Sequence, residues 1–279
     1  MSAALIALEG TVLADAVAQE PQTTSLLREG VRDGRLAAVV LGAPYAPRDH
    51  DPVAVATALT VHLPGIGVIA AADRDGDHPY NAARRLLSLD HLSGGRAGAL
   101  FSGGGAADEA SHTAERIEVV RKLWNSWPVE TLLVDHATRR YARTDGIRAI
   151  AHAGDRYEVR GALNTPTSRQ GEPVSLWWVD TPDELEASFG LVDLVVTDSE
   201  HVMTAWSIAA SAERPRLVST VPGAAGISLV RVRTRDGLAR ALDSASPAVP
   251  ARTLRKRLGL PERRYDLSHA PLAFGAAHA

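Results

Sequence analysis

The sequence predicts an α/β protein of the TIM-barrel-like (β/α)8 class, and three observations lead there. Short β-branched runs alternate with longer helical patterns, the mark of repeated βα units around a parallel sheet. There are eight such runs, and the chain is 279 residues long, close to the ~250 residues typical of one such barrel. In order, the expected strands are Ala3–Leu8, Ala37–Leu41, Ile66–Ala72, Arg96–Ser102, Val174–Val179, Val192–Thr197, Arg216–Val221 and Ile227–Arg233. Helices are expected at Thr24–Asp33, Pro52–Leu63, Tyr80–Leu92, Ala107–Trp127, Pro182–Phe189 and His201–Glu213, several ended by stop signals such as Pro64-Gly65 and Gly94-Gly95.

Two segments break the alternation. From Pro128 to Glu172 neither period emerges, and a long irregular stretch inside a βα barrel is expected as a loop excursion over the face that carries the chemistry. Only Pro222-Gly223-Ala224-Ala225-Gly226 separates the seventh and eighth strands, whereas a parallel crossover needs about a dozen residues. The barrel is therefore expected to be irregular or incomplete there, as a hairpin, one bent element or an open sheet. The organisation read is a single barrel domain over 1–279, with the excursion at 128–172 and a helical tail from about 251.

Composition narrows the function. With 45% hydrophobic residues the chain has enough apolar material for its own core, and 30 basic against 33 acidic residues give a net charge of −3. That balance makes no electrostatic case for nucleic acid or an anionic membrane as partner. No cysteine is present, which removes thiol catalysis, cysteine-ligated zinc and disulfides. No apolar run approaches the ~18 residues of a membrane span and the first residues carry no basic-then-apolar leader pattern, so a cytoplasmic location is expected.

Individual residues offer few chemical motifs. The histidines show no helical His-x-x-x-His pairing, so no metal site is expected; His78 and His112 fall on segments at the chemical face. Adjacent Trp177 and Trp178 must point to opposite sides of their strand, one into the barrel and one to the helix layer. Gly103-Gly104-Gly105 lacks the Gly-Lys-Ser/Thr continuation of a phosphate loop. The basic run Arg252, Arg255, Lys256, Arg257, Arg263 and Arg264 reads as a solvated face, and no catalytic residue is assigned.

A family resemblance rests on longer patterns. Pro79-Tyr80, Ala83-Arg84 and Leu89-Asp90-His91-Leu92-Ser93-Gly94-Gly95-Arg96-Ala97-Gly98 are followed by Glu118-Val119-Val120, Leu123-Trp124-Asn125-Ser126-Trp127 and Tyr157 to Pro166. Gln170-Gly171-x-Pro173-Val174 and Thr253 to Leu260 complete the series. Their order and spacing resemble the bacterial-luciferase-like flavin-dependent monooxygenases, in the branch acting on nitrilotriacetate, EDTA and dibenzothiophene sulfone. The resemblance implies a barrel, reduced FMN supplied by a separate flavin reductase, oxygen insertion, and dimerisation. Members of that branch are considerably longer, and the short gap after Val221 fits a lost insertion.

The flavin contacts that the resemblance implies are altered. After the second strand, Val40-Leu41-Gly42-Ala43 lacks the family's acid. After the third, Asp73-Arg74-Asp75 replaces a Ser-Thr-Thr segment, and Leu100 stands where the fourth strand carries an amide. The family binds phosphate with Gly-Ser-Ser before a helix; here Val179-Asp180-Thr181-Pro182-Asp183-Glu184 reads as a capping box that uses the same N–H donors. Like charges there would repel a phosphate by on the order of 4 kcal/mol per pair at about 4 Å. Arg74, Ser102 and Thr181 are the candidate cofactor contacts. Two functions follow: a luciferase-like FMN-dependent monooxygenase with an impaired or altered flavin site, or a non-catalytic degenerate paralogue serving as partner subunit or small-ligand-binding barrel. The expected assembly is a homodimer or a heteromer with a full-length paralogue.

Overall fold

The computed structural model describes residues 4–42, 44, 50–72, 77–103, 107–211, 213–220, 227–247 and 250–274. Eight parallel strands close into a barrel: β1 (Ala4–Leu8), β2 (Leu36–Leu41), β3 (Val68–Ala71), β4 (Ala97–Ser102), β9 (Val174–Trp178), β10 (Leu194–Thr197), β11 (Arg216–Ser219) and β12 (Ile227–Val232). All eight coincide with the runs read from the sequence. Around them lie α1 (Gly10–Val17), α2 (Pro21–Arg32), α3 (Pro52–His62), α4 (Pro79–Ser93), α5 (Ala107–Asn125), α6 (Pro182–Ala187), α7 (Glu200–Ile208) and α8 (Arg235–Ser244). Helices α2, α3, α4 and α6 begin on a proline, whose fixed φ and missing N–H suit a first helical position. Helix α4 ends on Gly94 at φ 70°, the left-handed cap that a glycine supplies without strain.

The closing joint corrects one expectation. Strand β12 lies parallel beside β11, with Val218 level with Ile227 and Ser219 with Ser228, and it pairs on its other side with β1 from Leu5–Leu229 to Leu8–Val232. The eighth strand is offset so that it starts where the seventh ends. The chain therefore need not travel back the length of a strand, and a connection too short for a helix is enough. The barrel is neither incomplete nor closed by a hairpin.

Period-two alternation splits the core into two parts. Leu5, Ala7, Val40, Ile69, Leu100, Leu176, Trp178, Leu194, Val196 and Leu229 fill the interior. Trp177 and Val195 face the helix layer with Leu86, Trp124 and Val202. The 128–172 segment packs along α4 and α5, and its Tyr157 reaches His78 and His112 on the strand-end side. It forms two small antiparallel ribbons, β5 (Leu132–Asp135) with β6 (Arg140–Ala142) and β7 (His152–Ala153) with β8 (Glu158–Val159). These lie outside α4 and α5 and join the tail: Ala149 N–H donates to the Pro271 carbonyl at 2.8 Å. Absent strand signals are explained by ribbons only two to four residues long.

The floor of the barrel, at the N-terminal ends of the strands, is plugged by the tail. One turn of helix, α9 (Leu254–Arg257), sends Leu254, Leu258 and Leu260 into the interior cluster. Arg255 is 2% exposed and donates to both oxygens of Asp193 at 2.7 and 2.9 Å, and to the Glu172 and Pro261 carbonyls. Asp90 accepts from Ala97 N–H at 3.1 Å, from the Gln170 amide at 2.6 Å and from the Ser168 hydroxyl. Gln170 in turn accepts from Arg255 N–H at 3.1 Å. Arg121 and Asn125 satisfy Glu172. Gly171, at φ 83°, lets the backbone of Arg263 approach where a Cβ would stand 2.6 Å from its carbonyl oxygen. The basic run is thus only in part a solvated face: Arg252, Lys256 and Arg264 are exposed, Arg257 and Arg263 are half-buried, and Arg255 points inward.

Removing Arg255 leaves Asp193 buried with only the longer contact to Arg263 at 3.7 Å, at a cost of about 3–5 kcal/mol. Arg255→Met is expected to lower unfolding free energy by that amount in urea titration. Adding Asp193→Asn, which keeps the acceptor for Ser175 while removing the charge, is expected to recover part of the loss.

Candidate functional site

The C-terminal ends of the strands, where barrels of this type carry their chemistry, present a mixed polar rim. Glu9 follows β1, is 3% exposed, and accepts from Arg231 Nε at 2.6 Å and Arg233 Nε at 3.1 Å. Arg231 continues the inward positions of Ile227 and Leu229 on β12, so this ion pair sits at the barrel mouth. On the opposite side Trp178 fills the interior below Asp180, to whose carboxylate its indole N–H donates at 3.1 Å. Ser102 closes β4 at an inward, half-buried position. Arg74 lies outside the described residues.

Thr181 caps α6, and the capping box is complete. Its hydroxyl accepts from Glu184 N–H at 3.2 Å, while Glu184 Oε2 accepts from Asp180 N–H at 2.7 Å and Thr181 N–H at 3.3 Å. Glu184 is 1% exposed. Burial pushes its carboxyl above the usual glutamate range, with Asp180 and Glu109 adding to the rise against the two backbone hydrogen bonds. The other oxygen, Oε1, lies over Gly103, where a Cβ would stand 2.5 Å from it. A phosphate does not fit this helix end: three N–H groups already serve side-chain oxygens, and a buried carboxylate stands in front of them.

A second polar group gathers where the excursion climbs α5. His112 Nε2 and the Tyr157 hydroxyl are 2.7 Å apart, and His78, the N-cap of α4, meets the Tyr157 ring edge-on at 5.8 Å. Deeper along α5, Glu115 accepts from Arg156 N–H at 3.0 Å, Tyr157 N–H at 2.8 Å and His152 Nε2 at 3.2 Å. Lys122 Nζ lies 3.1 Å from His152 Nδ1 and 2.8 Å from Glu118. Of these, His112, Glu115, Glu118, Lys122, His152 and Arg156 border a groove of about 1030 Å³ between α5, the β7–β8 ribbon and the end of α6. Burial works to raise the Glu115 carboxyl, but the hydrogen bonds from His152, Tyr157 and Arg156 outweigh it and hold it below the usual range.

Structure brings together His78, His112 and Tyr157, of which the sequence marked the two histidines as lying at this face. Glu9, Arg231, Glu109 and Glu115 were not singled out. An inward period-two position on β12 was the available signal for Arg231; the acids carry no local signal, because partners distant in sequence define them.

No family model matches the chain. One of the subunits of pristinamycin IIA synthase from Streptomyces pristinaespiralis is 32% identical over 254 residues, covering 85% of this chain and 86% of that protein. Dibenzothiophene-sulfone monooxygenase from Rhodococcus erythropolis is 35% identical over 179 residues, but those are only 38% of its length. Among solved structures, a long-chain alkane monooxygenase superposes with a TM-score of 0.62 at 18% identity, covering 78% of this chain and 64% of that one. The EDTA monooxygenase of Chelativorans sp. BNC1 gives 0.58 at 20% identity, with 78% and 61% covered. The chain belongs to the luciferase-like flavin-dependent monooxygenase family. It spans nearly all of the synthase subunit and under two fifths of the sulfone monooxygenase.

Glu115→Gln is expected to cost about 1–2 kcal/mol at neutral pH, the scale of hydrogen bonds to a charged group, and to speed amide exchange at Arg156 and Tyr157. Because the carboxyl is held low in the folded chain, its contribution is present above the ordinary glutamate pKa and fades as pH falls through the lowered value. Stability curves of wild type and variant should therefore converge toward acid pH.

Proposed function

We propose that this chain is the non-catalytic subunit of a two-subunit luciferase-like monooxygenase, pairing with a longer paralogue that holds the flavin. The observation carrying this reading is the α6 end, where Glu184 takes the N–H donors that a phosphate would need and brings a buried negative charge. Trp178, fully buried in the barrel interior, adds to it by filling space toward the mouth. Length supports it too: the relative matched over nearly its full extent is named as a subunit of a synthase. In the pair, the flavin reductase would serve the longer paralogue, and this barrel would contribute shape and stability. The rival reading is that the chain itself uses reduced FMN in an altered pose.

FMN titrated into the purified protein is expected to show no fluorescence quenching at about tens of micromolar. Binding at about 1 μM, some −8 kcal/mol, would establish the rival instead. The variant Asp180→Ser with Glu184→Ala is expected to raise FMN affinity at least about tenfold, or ~1.4 kcal/mol, if repulsion at α6 is what excludes the phosphate. Co-expression with a longer luciferase-like paralogue should yield a heteromer on size-exclusion chromatography; a homodimer indifferent to the paralogue would count against the subunit assignment.

A further inference from the structure

The tail brings more positive charge to the barrel floor than the fold takes up. Arg255 and Arg263 meet Asp193, and Arg264 meets Glu130 and Glu262. Arg252, Lys256 and Arg257 have no such counterpart, and Arg96 and Arg169 join them from the loops ahead of β4 and β9. The main chain fixes that meeting. Leu254 N–H donates to the Gly95 carbonyl at 3.0 Å, and a Cβ on Gly95 would stand 3.1 Å from the Thr253 methyl and 3.9 Å from the Arg169 Cβ. Thr253 and Arg257 are four residues apart around the α9 turn and share the side that meets Gly95. Arg96 folds back over Gly94, its Nη1 3.3 Å from the place a Cβ would take.

Arg96 and Arg257 are half-buried, and each is held through Nε: Arg96 donates to the Ile66 carbonyl at 3.3 Å and Arg257 to the Ala251 carbonyl at 3.0 Å. Among the described residues none of the five cations has a carboxylate within ion-pair distance. Asp90, the buried acid that acts on Arg96, already accepts from Ala97 N–H, Gln170 and Ser168. Burial holds both guanidiniums below the usual arginine range, and the charge of Arg96 adds to the fall at Arg257. Cations gathered partly out of water without an acid are unfavourable, and carboxylates brought from outside would relieve them.

We infer that the floor beside Gly94 and Gly95, bearing Arg96, Arg169, Arg252, Lys256 and Arg257, is a docking surface for an acidic segment of a partner protein. Guanidinium forks pair with carboxylates through two parallel hydrogen bonds. The patch is compact and the whole chain carries −3, which suits a short acidic stretch rather than the extended phosphate track of a nucleic acid or the plane of an anionic membrane. The inference stands whether or not the chain is a non-catalytic subunit, because the flavin end of the barrel is the opposite one.

The test is fluorescence anisotropy of labelled octaglutamate titrated with the whole protein in about 50 mM salt, beside a labelled Gly-Ser peptide of equal length. The wild type is expected to bind octaglutamate at least about tenfold more tightly than the Gly-Ser peptide and to lose that preference in about 0.5 M salt. Arg169→Glu with Arg252→Glu changes two exposed side chains for which no hydrogen bond is formed among the described residues, so the fold does not depend on them. That variant is expected to weaken octaglutamate binding at least about tenfold. Arg139→Glu with Arg140→Glu, an equal charge change at the β5–β6 ribbon, is expected to stay within about twofold of the wild type. Equal loss in the two variants would assign binding to net charge and overturn the surface. So would a wild type that binds the two peptides alike, or one that prefers a short DNA duplex or phosphatidylserine vesicles to octaglutamate at the same salt. FMN titration reads none of these outcomes, so failure here is distinct from failure of the subunit assignment.

Discussion

The buried pairing of Arg255 with Asp193 is the constraint on which the rest of the molecule leans. A barrel of eight parallel strands has two open ends, and the strand ends at the floor expose backbone carbonyls that must find donors. Arg255 satisfies that of Glu172, ahead of β9, together with the Pro261 carbonyl of the tail, while its charge is matched by Asp193. Gln170 links it to Asp90, which holds the start of β4 through Ala97. One residue thus ties the barrel to the tail, its guanidinium reaching β9 and β10 and its backbone N–H reaching β4 by way of Gln170. Such a pair need not add net stability over apolar packing, but it leaves few other ways to seat the tail.

This arrangement explains what the family pattern measures. Asp90, Gln170, Gly171 and Arg255, all within the patterns that carry the resemblance, lie at the floor rather than at the mouth. Preserving them preserves the barrel and says little about the reaction. The mouth carries Trp178 inside the barrel and carboxylates at the head of α6. The residues that carry the family pattern and those that line the mouth therefore lie at opposite ends of the same strands.

Much of the fold was legible in the sequence. All eight barrel strands, the opposed faces of Trp177 and Trp178, and the capping box at Thr181 follow from period, propensity and spacing alone, since each is a local property. What escaped was set by partners far along the chain. The helices α1 and α8 went unread although Thr234 caps the second; α1 has no side-chain cap at Glu9 to announce it. The inward turn of Arg255 depends on Asp193, 62 residues away, and the offset of β12 depends on register with two neighbours. At the site, Thr181 and the histidines were readable as positions. The burial of Glu184 against Gly103 was not, because burial and the nearness of Gly103 exist only after folding.

The plug also has a consequence in time. Synthesis runs from the amino end, so β1 emerges early and waits for β12 to close the ring, and the floor is laid only when Arg255 and its leucines follow. Until then Asp193 and the Glu172 carbonyl lack the donors that Arg255 brings, and the lower interior lacks its cover. Non-local closure of this kind is slow and leaves apolar surface open meanwhile. The nascent chain is thus most vulnerable just before residues 254–260 arrive, and the residues that seal the barrel also set the moment at which it becomes safe.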